Sequence, residues 1–218
     1  TSRLFAGYSG ALDADVLAQL IAALPQGAPG ATAAHKRYDA AACAVEIPAD
    51  VGFCALGHNL YALGSSYSGA CPVLSSLVSY GYLWNMVRVQ GGAYGTGMNV
   101  RRSGDIFCYS YRDPNLDNTR AVFSAVADFI ENFAAQGMPL DDIIIGSVNT
   151  TDPLLDPAGV CESQCVRALK GVTPEELAKT RHELLATKPA DLAAMAGVLR
   201  KYAREGKFCT FSGTNGGA

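Results

Sequence analysis

The sequence carries little charge. Only 17% of its 218 residues are Asp, Glu, Lys or Arg, and 20 acidic against 17 basic side chains leave a formal net charge of −3. That balance lacks the basic stripe a nucleic-acid footprint needs. Long apolar runs are missing too. Charged residues, Gly or Pro interrupt every stretch well short of the roughly 20 residues that span a bilayer, so neither a nucleic acid nor a membrane is an expected partner. Residues 1–6 lack the charged-then-apolar order of a signal peptide. The first residue is Thr1, not Met, so the expectation is a chain that begins inside a longer protein.

The seven cysteines, Cys43, Cys54, Cys71, Cys108, Cys161, Cys165 and Cys209, contain no Cys-x-x-Cys pair. The number is odd, and 49% hydrophobic residues in a chain this long can fill a core without staples. They read as small buried hydrophobes in a reducing compartment, the cytoplasm of a bacterium or an organelle matrix of a eukaryote. Cys161 and Cys165 stand at i, i+4, a spacing that shares a helix face and gives a weak metal or redox signal.

Periodicity gives the elements. Residues 3–8 read as a strand and 13–24 as a helix with Val16, Leu17, Leu20, Ile21 and Leu24 on one face; residues 25–30 form a loop. Residues 35–47 and 52–58 read as two antiparallel strands joined around 48–50. Residues 70–88 carry a helical apolar stripe that Gly91 and Gly92 stop. Residues 93–101 and 105–111 form a hairpin turning at Arg102-Ser103-Gly104, and Asp113-Pro114-Asn115 ends the second strand. Helices follow over 118–136, 140–148 and 160–169. Another starts at Thr173-Pro174-Glu175-Glu176, where threonine caps, proline occupies the first helical position and Glu176 closes a capping box. A helix from Pro189 to about Arg204 precedes a strand at 208–211, and the tail over 213–218 is expected to fray. Hairpins beside segregated helices predict an α+β fold: a single domain over 1–218 with a mainly antiparallel sheet and helices packed on one face.

One segment stands out: Tyr82-Leu-Trp-Asn-Met-Val-Arg88-Val-Gln-Gly91-Gly92-Ala-Tyr94-Gly95-Thr-Gly97. A long amphipathic helix ends in a cation, two glycines reverse the chain, and a tyrosine opens a strand. Period 2 puts Ala93, Gly95 and Gly97 on one face and Tyr94, Thr96 and Met98 on the other. Glycines along one face admit a close neighbour. Physics alone leaves structural readings open. Arg88 suits the negative end of a helix dipole, and Tyr94 suits an amphipathic strand.

These residues, with Ser110-Tyr111-Arg112-Asp113-Pro114-Asn115-Leu116 downstream, resemble the C-terminal region of presequence proteases in the pitrilysin/insulinase family of zinc metallopeptidases. Asn59-Leu60-Tyr61 and the Thr173-Pro174-Glu175 helix start fit as well, and the likeness runs over nearly the whole chain. It implies four similar α+β domains forming two halves that close around a chamber. Zinc would sit in the N-terminal half, on an inverted His-x-x-Glu-His motif, and the substrates would be peptides. The C-terminal half would contribute Arg88 and Tyr94 as catalytic and substrate-binding residues. The Tyr94 hydroxyl would donate to the oxyanion, and Arg88 would hold a peptide carbonyl. Gly91 and Gly92 belong to this substrate-binding segment through the turn they shape, which aims Tyr94.

The zinc motif itself is absent. The chain has only His35, His58 and His182, none with a second histidine four residues away, and Ala186 stands where His182-Glu183 would need one. Catalytic zinc takes three protein ligands and an open position, so this chain alone is expected to be inactive and to depend on its N-terminal half. Residues 92–97 lack the ending of a phosphate loop and precede a strand instead of a helix, which counts against a nucleotide-binding enzyme. No Gly-x-Ser-x-Gly elbow or calcium-loop spacing occurs. The remaining alternative is a non-catalytic scaffold domain of the same fold in a protein whose zinc site has degenerated.

Overall fold

The computed structural model describes residues 6–24, 27 and 41–213. The chain divides into two compact units, residues 1–39 with 153–178, and residues 40–152 with 179–218.

In the first unit, Asp13 caps α1 (Ala14–Ala23) by accepting from the backbone of Asp15 and Val16. The expected apolar stripe is present, but α1 buries none of its residues, and Val16 and Leu20 stand exposed. Residues 6–8, the described end of the expected first strand, are not in a strand. Residues 28–40, with His35 and the first six residues of the expected strand over 35–47, lie outside the described residues, as does the tail from residue 214. Here too lies α6 (Pro157–Lys170), capped by Asp156 and closed by the left-handed Gly171.

The second unit holds five described strands in one sheet: β1 (Cys43–Glu46), β2 (Gly52–Asn59), β3 (Gly95–Val100), β4 (Asp105–Asp113) and β5 (Lys207–Ser212). Their order is β1-β5-β2-β4-β3. The β3–β4 hairpin is antiparallel, with Gly95 opposite Tyr111, and Gly104 turns it at φ +95°. The expected β1–β2 hairpin is corrected. The two strands run in opposite directions, but β5 lies between them, parallel to β1 and antiparallel to β2. The linker over 47–51 carries Pro48 and Asp50, not the Asn-Gly type of pair that closes a tight hairpin, and β5 arrives from the far end of the chain.

Alternation separates the faces of the sheet. Cys54, Leu56, Ile106, Cys108, Met98 and Val100 point into the core. Phe53, Phe107, Tyr109 and Tyr111 lie on the opposite, more open face. The helices pack on the core side: α2 (Ala70–Val78), α3 (Leu116–Ser124), α4 (Val126–Ala135), α5 (Asp141–Thr151), α8 (Pro189–Ala194) and α9 (Ala196–Glu205). The α+β class with a mainly antiparallel sheet is therefore as expected. The division falls within the sequence of α7 (Pro174–Ala186), which opens with the capping box in which Glu176 N–H donates to Thr173 Oγ1 and Thr173 N–H to Glu176.

Two long helices of the sequence reading are each two. The stretch over 118–136 breaks at Ala125, and the last helix breaks at Met195. The breaks let separate stripes reach the core, Val122 and Phe123 before the first, Ile130 after it. Tyr202 of α9 pins the sheet from below: its hydroxyl donates to the Leu56 carbonyl at 2.7 Å and accepts from Cys108 N–H at 2.8 Å.

Cys54, Cys71 and Cys108 are buried as expected, with burial pushing the Cys54 thiol up to about 11 and that of Cys108 to about 12. The other four are not core residues. Cys43 is exposed, and Cys161, Cys165 and Cys209 are half-exposed, because β1 is an edge strand and α6 buries no residue. Among the described residues, no helix is long and apolar enough to cross a membrane.

Candidate functional site

The helix that begins as α2 continues as a π-helix over Ser79–Gln90. Wider turns of this kind re-aim side chains and recur at functional sites. Leu83 and Val87 are buried, which leaves Trp84 and Arg88 on the outer side. One turn apart, these two stack: the Arg88 guanidinium sits 4.1 Å from the Trp84 ring centroid.

The chain then reverses in four residues. Gly92 N–H donates to the Arg88 carbonyl at 3.0 Å, and Ala93 N–H to the Val87 carbonyl at 3.1 Å. Both glycines are required. A Cβ on Gly91 would lie 2.5 Å from the Val87 carbonyl oxygen, and Gly92 adopts φ +83°, where a side chain is strained. Tyr94 N–H is held by the carbonyls of Tyr111 at 3.0 Å and Arg112 at 3.3 Å, so the backbone of the tyrosine is tied to β4 before β3 begins.

That geometry brings together the residues singled out from sequence. Tyr94 is 64% exposed, and its ring centroid lies 5.7 Å from Arg88 Cζ. The ring meets Tyr111 edge-on at 5.9 Å, and Tyr111 meets Phe53 at 5.2 Å. A cation and a phenol thus stand together just before β3, with the Tyr94 ring resting on the Tyr111–Phe53 aromatic ladder. Gly91 and Gly92 make the turn and contribute no side chain to this pair.

Trp84 and Tyr111 were read from sequence as parts of the motif and not as site residues. Their signals were there: Trp84 stands at i−4 from Arg88, and a hairpin turning at 102–104 places residue 111 opposite 95. A cleft of about 800 Å³ also opens at the end of the sheet, lined by residues 46–52, 113–117 and 212–213. Neither Arg88 nor Tyr94 lines it. Its buried Asp113 accepts from Thr119 Oγ1 at 2.6 Å and Asn115 N–H at 2.8 Å, which ties the end of β4 to the start of α3. Among the described residues, no three His, Cys, Asp or Glu side chains come together to hold a metal ion, so a zinc centre does not fit these residues. His182 is exposed on α7, and His58 Nδ1 accepts from its neighbour Asn59 N–H at 2.7 Å.

Comparison with known proteins gives the family. Presequence protease 1, chloroplastic/mitochondrial, of Arabidopsis thaliana is 34% identical over 154 residues, 70% of this chain and 14% of the relative. Protein HypA of Clostridium perfringens is 31% identical over 160 residues, 73% of this chain and 16% of the relative. The chain thus spans about a sixth of the length of these curated relatives. In fold it is similar to the inactive domain of a peptidase from Pseudomonas fluorescens, with TM-score 0.62 and 13% identity over 94% of this chain and 51% of that one. A Helicobacter pylori protease gives TM-score 0.61 and 12% identity over 93% and 54%. The family profile described as the PreP C-terminal domain matches residues 43–211, well over half of the sequence, and the chain belongs to that family.

Proposed function

We propose that this chain is the metal-free, substrate-gripping part of a peptide-degrading zinc metallopeptidase, with Tyr94 and Arg88 as its contribution to the active site. The metal and the attacking water belong to the N-terminal half of the complete polypeptide. The Tyr94 hydroxyl donates to the oxygen on which negative charge develops, and Arg88 holds a carbonyl of the extended peptide. Gly91 and Gly92 set the turn that aims the phenol. Free thiols at Cys43, Cys54 and Cys209 suit a reducing cytoplasm or organelle matrix.

The supporting observation is the pairing of an exposed phenol with a guanidinium 5.7 Å from its ring. The stack on Trp84 limits the motion of Arg88, and the backbone ties to β4 limit that of Tyr94. Donors fixed in advance lose no reorganisation energy as charge develops. Each such donor lowers the barrier by about 3 kcal/mol, roughly 100-fold in rate.

The test is Tyr94→Phe in the full-length protein. The ring keeps its packing against Tyr111 and Arg88, so folding and zinc content should match the parent while kcat on a peptide falls about 100-fold. Unchanged kcat would remove Tyr94 from the site. A parent protein with no turnover, and no His-x-x-Glu-His upstream, would identify the scaffold role instead.

A further inference from the structure

The open face of the sheet holds a second chemical group that the peptidase reading does not use. In the parallel pairing of β1 and β5, Cys43 stands directly opposite Cys209. Register partners project to the same side of a sheet, and neighbouring strands run about 4.8 Å apart. That spacing lies inside the range of roughly 4.4–6.8 Å between Cα atoms that a disulfide spans. Both thiols are free. Cys43 is exposed, and Cys209 is half-buried with its thiol donating to the Ala41 carbonyl at 3.6 Å. The neighbouring Cys209 thiol is the main cause raising the Cys43 thiol above its ordinary range.

The place in the fold gives the pair a consequence. Among the described residues, β1 is an edge strand of four residues, all exposed, and pairs with β5 alone. Its last residue, Glu46, begins the wall of the cleft at the end of the sheet. Backbone hydrogen bonds to β5 are its hold on the sheet. A covalent link at Cys43 would fasten the edge where it is weakest.

We propose that Cys43 and Cys209 are a redox-active dithiol, closed to a disulfide by a small oxidant such as oxidised glutathione and reopened by a thiol reductant. The more exposed Cys43, as thiolate, attacks one sulfur of oxidised glutathione and expels a glutathione thiolate. The Cys209 thiolate then attacks the Cys43 sulfur of the mixed disulfide and expels the second glutathione. Two protein protons pass to the two glutathione thiolates. The protein loses two electrons and two hydrogens, and one oxidised glutathione becomes two reduced. The closed form ties β1 to β5 irrespective of the state of Arg88 and Tyr94.

Cys161 and Cys165 offer the internal comparison. They lie one turn apart on α6, with both sulfurs against Gly7. The experiment treats the full-length folded protein with oxidised glutathione, blocks the remaining thiols and maps the peptides by mass spectrometry. The expected product is a peptide pair joined through Cys43 and Cys209, 2 Da lighter than its reduced form and released by dithiothreitol. Amide exchange in residues 43–46 should slow in the oxidised protein, and Cys43→Ser should abolish the joined pair. Persistent glutathione on Cys43 beside a free Cys209 would overturn the proposal. So would oxidation confined to Cys161 and Cys165. The mapping needs no variant and no peptidase activity, so its outcome is separate from that of the Tyr94 test.

Discussion

Replacing the two turn glycines separately by alanine tests how the Arg88–Tyr94 corner is built. At Gly92 the backbone is left-handed, with φ +83°. An L side chain there costs about 1–2 kcal/mol. The nearest atom to the new methyl is Pro114 Cγ at 3.3 Å, which adds a mild contact. At Gly91 the obstacle is the Val87 carbonyl oxygen at 2.5 Å. A backbone atom cannot rotate away, so the turn itself must open, at roughly 1–3 kcal/mol by analogy with overpacking. Opening it breaks the bonds from Gly92 and Ala93 to the helix end and moves Tyr94 off its carbonyl partners. Gly64 is the control. It has φ +81° and open space around its Cβ, and it lies away from the corner. The assays are urea denaturation and peptide turnover of the full-length protein. Gly64→Ala and Gly92→Ala should destabilise alike, but turnover should fall only for the turn variants, most for Gly91→Ala. Because the two glycines share one turn, the double variant should cost less than the sum. Parent-like turnover in Gly91→Ala, or an equal loss in Gly64→Ala, would refute the coupling of turn to site.

Two further outcomes follow from the core. Tyr202→Phe keeps the ring but leaves the Leu56 carbonyl and Cys108 N–H without their 2.7 Å and 2.8 Å partner. At about 1–3 kcal/mol for each orphaned buried group, the urea midpoint should drop clearly with the m-value unchanged, and a parent-like midpoint would show that the hydroxyl carries no net stability. Burial raises the Cys54 thiol to about 11 and the Cys108 thiol to about 12, from 9.0. Above pH 9 the unfolded chain therefore releases protons that the folded chain keeps. Stability should hold below pH 9 and then fall by up to about 1.4 kcal/mol per pH unit per thiol until the folded thiols ionise; a flat urea midpoint from pH 9 to 11 would contradict this.

The sequence was enough wherever the determining interaction is local. The Thr173 capping box, the 102–104 turn and the Gly91-Gly92 reversal are set by residues within a few positions of one another. Period-2 and period-3.6 patterns separated strands from helices, and the motif from Tyr82 to Leu116 pointed to the family. Tertiary structure decided what depends on residues distant in the chain. β5 enters between β1 and β2 from more than 140 residues away, so the β1–β2 linker cannot announce it. The hidden breaks at Ala125 and Met195, and the π-helical turns before Arg88, arise because packing on a twisted sheet outweighs the small cost of leaving regular helix. The stacking of Arg88 on Trp84 beside Tyr94, and the meeting of Cys43 with Cys209, exist only once strands and helix ends share one face. Local sequence fixes the shape of a turn, but which side chains it brings together is set by the elements on either side of it.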